Sequence, residues 1–229
     1  MRRLLRWSST CTRTMWGIYL DSKKVVPIFQ SHPEDAMMKV NKTTDALLVV
    51  DVQNDFCPGG SLAVPNGDHV IVPLNSLCPK FEFIYATRDW HTPDHCSFVP
   101  QGGIWPPHCI AGTVGAAFPP ALNLHNYMGE HALIISKAFT QDKDTYSGFG
   151  NPILGECFVT DGIKRLFVGG LATDYCVKAT VLDAVKAGLQ VVVVLDGIMG
   201  VNVNPGDADK AIEEMVAAGA QTCYSTEVT

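Results

Sequence analysis

Short apolar runs separated by turn or helix signals dominate the chain from residue 45 onward. They occupy residues 45–51, 83–89, 132–137, 165–170 and 191–196. Continuous runs of this kind are typical of strands covered on both faces. Between the last two runs, apolar residues recur at helical spacing until Gly188, and such a strand–helix–strand crossover implies parallel pairing. We therefore predict a three-layer α/β/α fold, Rossmann-like, with a mostly parallel sheet of about six strands.

The two ends of the chain differ in character. A final helix is predicted over residues 207–218, and Gly219 separates it from an edge strand around residues 222–224. Residues 1–40 do not join the alternating pattern, so we predict an N-terminal extension there and a single α/β domain over residues 41–229. The extension contains four arginines before its first acidic residue, a composition that resembles an organellar transit peptide.

Composition limits the class of protein. Hydrophobic residues make up 47% of the chain and charged residues 17%, which favours a well-buried globular domain. A net charge of −6 argues against a nucleic-acid partner, because such proteins usually present a basic face to phosphates. No apolar run is long enough to predict a membrane span. The eight cysteines show no CxxC spacing, so we expect reduced thiols and a cytoplasmic protein, with an organellar location as the alternative.

The most informative segment is the strand-to-helix turn GGLATDYC, which places Cys176 at the start of a helix. Backbone N–H groups and the helix dipole favour negative charge there, so we expect a lowered thiol pKa and a nucleophilic cysteine. The N–H groups of Ala172 and Cys176 could hold a developing oxyanion, with Asp174 or Thr173 as the helix cap. The alternative is a buried, inert cysteine.

Other predicted strands end in polar residues that could act on this thiol. Asp51 ends the first strand and could accept the thiol proton, and Lys137 could stabilise the charges of both groups. Because ligands of open α/β sheets bind beyond the carboxyl ends of the strands, these side chains are expected to meet Cys176. The alternatives are a turn cap for Asp51 and a solvated surface position for Lys137, and we expect Asp55 to be structural.

A second group of residues suits a metal ion. Asp89 and His91 leave a strand end on the same face, and His108 comes from a Pro/Gly-rich loop. One carboxylate and two imidazoles would bind a divalent metal ion, zinc first, with iron or manganese as alternatives. His95 is a candidate fourth or outer ligand. Without further evidence these side chains could equally be hydrogen-bonding loop residues.

Four apolar or aromatic residues in the surrounding loops could form a slot for a flat ring. They are Phe56, Leu62, Trp105 and Tyr146. Core packing is the alternative for each, and their position beside the polar candidates favours a pocket.

Five separated segments carry a family resemblance. They read VVDVQNDFCPGGSLAV (49–64), TRDWHTPDHCSF (87–98), WPPHCIAGTVGAAF (105–118), SKAF with TYSGF (136–149) and GGLATDYCV (169–177). In this order they closely resemble the nicotinamidase/pyrazinamidase branch of the isochorismatase-like cysteine hydrolases. The spacing from His91 to His95 is short compared with some members, and residues 1–40 have no counterpart in the resemblance.

The resemblance implies specific roles. It implies a triad of Asp51, Lys137 and Cys176, metal ligands at Asp89, His91 and His108, and a cis peptide bond between Leu171 and Ala172. It further implies that the metal receives the pyridine nitrogen of nicotinamide while Phe56, Leu62, Trp105 and Tyr146 enclose the ring. The implied reaction is deamidation of nicotinamide to nicotinate and ammonia through a thioester on Cys176, as in NAD salvage.

These expectations leave two other functions open. One keeps the fold and changes the substrate to another small amide or ureide; the other is a non-catalytic metal-binding or thiol redox protein. We expect a small-molecule substrate, and neither nucleic acid nor a membrane as partner. Assembly into a homo-oligomer stays open.

Overall fold

A computed structural model describes residues 37–126 and 132–229 of the chain. The strands are β1 (Asp45–Val50), β2 (Phe83–Asp89), β3 (Ala132–Lys137), β4 (Arg165–Leu171), β5 (Gln190–Met199) and β6 (Gln221–Cys223). The α-helices are α1 (Ile71–Leu77), α2 (Pro152–Thr160), α3 (Lys178–Lys186) and α4 (Asp207–Ala217). The first three predicted strands and the last helix therefore lie within a residue of their predicted bounds.

The strands form one six-stranded sheet in the order β3-β2-β1-β4-β5-β6. Every neighbouring pair in this sheet is parallel. The predicted fold class is confirmed, and the carboxyl ends of β1 to β4 meet along one edge of the sheet.

The two faces of the sheet bury separate apolar clusters, because successive side chains of a strand point to opposite faces. Along β1, Leu47 and Val49 pack into the cluster that contains α1. Leu48 and Val50 pack on the other side, with residues of α2, α3 and α4. This two-sided burial explains why the strands read as continuous apolar runs. Gly188, at φ +86°, ends α3 in a conformation that favours glycine.

The predicted N-terminal extension is described only from Met37. Residues 1–36 and the arginines within them lie outside the described residues. Met38 N donates to Glu227 O at 2.7 Å and Val40 N donates to Thr229 O at 2.7 Å, so residues 38–40 pair with the C-terminal segment. In the described parts of the chain, no helix combines the length and apolar character needed to cross a membrane.

Candidate active site

Four neighbouring strands deliver the predicted site residues to one edge of the sheet. Asp51 follows β1, Asp89 and Lys137 are the last residues of β2 and β3, and Cys176 follows β4. Asp89 and Lys137 are paired in the β2–β3 register. Asp51 adopts φ 48°, so the chain turns out of the sheet at the position where its carboxylate is needed.

Lys137 lies at the centre of this group. Its Nζ is 3.1 Å from Asp51 Oδ2, 2.5 Å from Asp89 Oδ1 and 3.5 Å from Cys176 Sγ, and it donates to Thr145 O at 3.3 Å. Its side chain is completely buried. Burial alone would lower the pKa of Lys137, but the Asp51 and Asp89 carboxylates outweigh it and hold that pKa well above its usual range. The structure thus brings the three predicted triad residues together, with Asp51 and Cys176 both in contact with the positively charged Lys137.

The two carboxylates beside Lys137 differ in their readiness to take a proton. Burial raises the pKa of Asp51, and Lys137 opposes this rise without cancelling it. Burial acts in the same direction on Asp89, but Lys137 and His91 outweigh it and hold the pKa of Asp89 below its usual range. When the surroundings raise the pKa of one carboxyl group and lower that of its neighbour, the first is suited to act as a base and the second stays ionised. Asp51 is therefore the better proton acceptor.

Thr87, which the sequence analysis did not single out, orients Asp51. Its hydroxyl donates to Asp51 Oδ1 at 2.7 Å, and both side chains are buried. The other oxygen, Oδ2, has no hydrogen-bond partner of good geometry within the described residues, although it faces the Lys137 ammonium. One oxygen of Asp51 is thus held in place and the other is available to the thiol.

Cys176 lies in a π-helical turn, Thr173–Val177, that leads directly into α3. The nearest ligand atoms of Cys176, Asp51 and Asp89 lie within 4.8 Å of one another. The peptide bond between Leu171 and Ala172 is cis, which confirms that prediction. Thr173 and Cys176 belong to the first turn of the helix, whose leading N–H groups have no acceptors within the helix itself.

Two predictions about this turn were wrong. Burial raises the pKa of the Cys176 thiol well above its usual range, and Asp51 and Asp89 add to the rise while Lys137 opposes it. The expected lowering fails because a helix N-terminus contributes only about 0.3–1 kcal/mol, less than the burial of a thiol beside two carboxylates. The residue at the cap position is Ala172, and Asp174 instead accepts hydrogen bonds from Val201 N at 2.9 Å and Asn202 N at 2.8 Å.

Asp89, His91 and His108 form a group whose ligand atoms lie within 4.8 Å of one another. His91 Nδ1 is 3.0 Å from Ala138 O, and His108 Nδ1 is 2.8 Å from Pro106 O. A carbonyl can only accept, so in the neutral, metal-binding form of each ring Nδ1 carries the proton and Nε2 presents a lone pair. Burial lowers the pKa of His108, which favours its neutral, metal-binding form. One carboxylate and two preset imidazoles fit a divalent metal ion with open positions.

His95 is held differently from these two histidines. Its Nε2 is 3.2 Å from Lys143 O and its Nδ1 is 2.8 Å from Ser97 Oγ, so both ring nitrogens have protein partners. The ring lies against His91, with centroids 4.2 Å apart and the ring planes inclined by 37°. In this arrangement His95 supports the His91 ring, and it does not belong to the ligand group.

A pocket opens onto these groups. All four predicted ring-binding residues line it: Phe56, Leu62, Trp105 and Tyr146. Trp105 Nε1 donates to the Tyr146 hydroxyl at 3.1 Å. Tyr175, which the sequence analysis missed, also lines the pocket and contacts both rings edge-on, with centroids 5.2 Å from Trp105 and 5.4 Å from Tyr146. Its place directly before Cys176 was the available signal.

Asp55, predicted to be structural, connects the segment of residues 49–64 to the loop that carries His108. Its Oδ2 accepts from Cys109 N at 2.7 Å and its Oδ1 accepts from Ser61 N at 3.2 Å. A side chain at Gly115 would collide with this carboxylate, which explains the glycine there. Asp55 therefore fixes the backbone beside His108.

Comparisons with known proteins place the chain among proteins of one family. The family model described as the isochorismatase domain matches residues 45–227. A nicotinamidase of Escherichia coli is 40% identical over 205 residues, which cover 79% of this chain and 94% of that protein. Pyrococcus horikoshii pyrazinamidase in complex with zinc is 44% identical, with a TM-score of 0.73, over 79% of this chain and 98% of that one. The protein PnC1 of L. infantum in complex with nicotinate is 36% identical, with a TM-score of 0.78, over 84% and 98% of the two chains.

Fold, strand-end site and sequence similarity thus converge on one assignment. The family match spans the six-stranded sheet and all of the residues around Lys137. The chain belongs to the isochorismatase family.

Proposed function

We propose that this chain is a nicotinamidase, which hydrolyses nicotinamide to nicotinate and ammonia. The observation that carries the proposal is the contact of Lys137 with both Asp51 and Cys176 beside an aromatic-lined pocket. An amide needs a strong nucleophile and a proton donor for its leaving nitrogen, and a thiol paired with a buried carboxylate supplies both. The relatives named above as nicotinamidase and pyrazinamidase support the same substrate class.

The first half of the reaction forms a thioester. Asp51 takes the Cys176 proton as the sulfur attacks the amide carbon, so an S–C bond forms while negative charge develops on the amide oxygen. The N–H groups of Ala172 and Cys176 are proposed to bind that oxygen. Asp51 then gives its proton to the departing nitrogen, the C–N bond breaks, and ammonia leaves. Lys137 keeps the buried charges balanced throughout.

The second half releases the acid. A water molecule loses a proton to Asp51 and attacks the thioester carbon. The S–C bond breaks, the sulfur regains the proton, and the acid leaves with the oxygen of water and releases its remaining proton to solvent as nicotinate. The raised pKa of Asp51 suits this double use, because a general base works best when its pKa approaches the working pH.

We assign Asp89, His91 and His108 as the residues that would hold one divalent metal ion, zinc first and iron or manganese as alternatives. When bound, the metal would supply a Lewis-acid contact for the ring nitrogen of the substrate. Phe56, Leu62, Trp105 and Tyr146 would enclose the ring. His95 keeps an indirect role, since both of its nitrogens bind protein groups.

The pocket favours a neutral amide over a substrate that carries a carboxylate. Its lining includes Asp89 and Asp144, and within the described residues it includes no Lys or Arg side chain. A ureide substrate with a free carboxylate would find no Lys or Arg side chain among these lining residues to pair with it. Parallel assays of nicotinamide and of a carboxylate-bearing ureide test this directly: the proposal requires one ammonia and one nicotinate per nicotinamide consumed. Ammonia from the ureide alone would overturn it.

We further propose that the enzyme acts in the cytoplasm, with an organellar location as the alternative. The Arg- and Ser-containing segment before residue 37 is the only reason for that alternative. Fractionation of cells that express the full chain, beside a version that starts at Met37, would separate the two locations.

A further inference from the structure

Gln53 is a completely buried polar residue that the proposed mechanism does not use. Its side-chain amide makes three hydrogen bonds to backbone groups. Nε2 donates to Asp89 O at 2.8 Å and to Ala116 O at 2.9 Å, and Oε1 accepts from Asp89 N at 2.8 Å. One side chain therefore binds both backbone polar groups of Asp89.

The backbone path of β1 explains why a side chain is needed here. The β1–β2 pairing extends to Val50 and Thr87, and Asp51 N still donates to Thr87 O at 3.1 Å. Asp51 then turns out of the sheet at φ 48°. Asp89, two residues beyond Thr87, has its N–H and C=O directed to the same side, where the backbone of β1 no longer runs. The Gln53 amide has the donor and acceptor groups of a peptide unit. It binds the Asp89 backbone groups that a longer β1 would otherwise pair with.

The groups that Gln53 binds carry the candidate metal ligands. Asp89 is itself in the ligand group, and Ala116 belongs to the same loop as His108. Asp55, two residues after Gln53, binds that loop a second time through Cys109 N. The segment that begins with the base Asp51 is therefore connected through Gln53 to both ligand-bearing segments.

We propose that Gln53 is a positioning residue that fixes Asp89 relative to Asp51 and His108, and thereby sets the affinity of the metal site. This inference rests on the proposed function only in taking Asp89 and His108 as ligands. Outer partners that orient metal ligands typically change metal affinity or activity by about 10–100-fold when removed. Gln53 acts on its ligand through the backbone.

The test compares Gln53→Met, which keeps the side-chain length and removes all three bonds, with Asn54→Ala. Asn54 Nδ2 donates to Val114 O at 2.8 Å, so the control loses a bond to the same loop and leaves Asp89 untouched. Zinc affinity is measured by competition with a chelator at a temperature where both variants are folded. We expect zinc binding to weaken about tenfold or more in Gln53→Met and to stay within about twofold in Asn54→Ala.

A purely structural role predicts a different result. It would lower the melting temperature of Gln53→Met and leave zinc affinity unchanged, and that result would overturn the inference. Equal weakening in Asn54→Ala would overturn it as well.

If Gln53→Met does not fold, Gln53→Asn replaces it, because the shorter amide cannot span both segments. Unchanged zinc affinity in that folded variant is then the contradicting result. Ammonia release from nicotinamide by the unchanged chain is recorded separately, so that failure of the proposed reaction is distinguished from failure of the positioning role.

Discussion

Lys137 Nζ lies 2.5 Å from Asp89 Oδ1, so a single ammonium group belongs to both the candidate triad and the candidate metal site. The other oxygen of Asp89, Oδ2, is 3.7 Å from His91 Nε2. One oxygen of Asp89 thus contacts the Lys137 ammonium, and the other faces the ligand group. The Lys137 ammonium in turn contacts the carboxylates of both Asp51 and Asp89. The nucleophile and the metal ligands form one electrostatic unit.

Replacing Lys137 by Met leaves Asp51 and Asp89 buried without a cation. Removing one partner of a buried ion pair costs about 3–5 kcal/mol, so we expect a loss of that order in the free energy of unfolding, measured with denaturant. Ammonia release should fall to background. Lys178→Met is the matched control, because Lys178 forms a partly exposed pair with Glu214 at 3.2 Å and should cost at most about 1 kcal/mol. Equal stability losses in the two variants would contradict the assigned role.

Replacing Thr87 by Val removes the hydroxyl that donates to Asp51 Oδ1. A buried carboxylate oxygen then lacks its partner, at a cost of about 1–3 kcal/mol. If the same cost appears in the barrier of the catalysed step, kcat falls roughly 5- to 150-fold. Thr87→Ser keeps the hydroxyl and should retain most of the activity. A Val variant as active as the Ser variant would show that this hydrogen bond does not orient the base.

Replacing His108 by Ala removes one of the two imidazoles of the ligand group. We expect zinc content per chain, measured by atomic emission after dialysis, to fall by about tenfold or more. KM for nicotinamide should rise with it, since the metal is assigned to substrate binding. His69→Ala changes an exposed histidine and is expected to alter neither quantity. Full zinc retention in His108→Ala would remove His108 from the site.

Replacing Tyr146 by Phe removes the acceptor of the Trp105 Nε1 hydrogen bond and keeps the ring. A neutral hydrogen bond contributes about 0.5–1.5 kcal/mol, so we expect KM for nicotinamide to rise roughly 2- to 10-fold with little change in kcat. Steady-state ammonia release measures both constants. Tyr224→Phe, at an exposed position near the C-terminus, serves as the control. A fall in kcat at unchanged KM would place Tyr146 in the chemical step instead of in the pocket.

The sheet and the strand-end residues could be predicted from the sequence for a clear physical reason. Strands buried on both faces read as unbroken apolar runs, and parallel strands direct their carboxyl ends to one edge. A polar residue that ends such a run, like Asp89 or Lys137, is therefore located in space by topology alone. The meeting of these residues with Cys176 was expected because ligands of open α/β sheets bind beyond the carboxyl ends of the strands.

Other features depend on details that no local pattern encodes. Gln53 replaces a missing strand because the backbone turns at Asp51, and a positive φ at an aspartate is not visible in the sequence. Thr87 lies inside an apolar run, so the sequence indicates an ordinary strand residue and gives no sign that its hydroxyl binds Asp51. The thiol pKa of Cys176 depends on burial beside two carboxylates, which outweighs the helix N-terminus on which the prediction rested.

Ammonia release by folded Cys176→Ala is the most direct test of the claim that the Cys176 sulfur attacks the amide. Cys157→Ala, at a partly exposed position on α2, is the matched control and should turn over nicotinamide like the unchanged chain. We predict that Cys176→Ala retains its fold and loses about 10³-fold or more of kcat, as removal of a covalent nucleophile does in other hydrolases. A folded Cys176→Ala that still turned over nicotinamide within tenfold of the control would contradict covalent catalysis at this site.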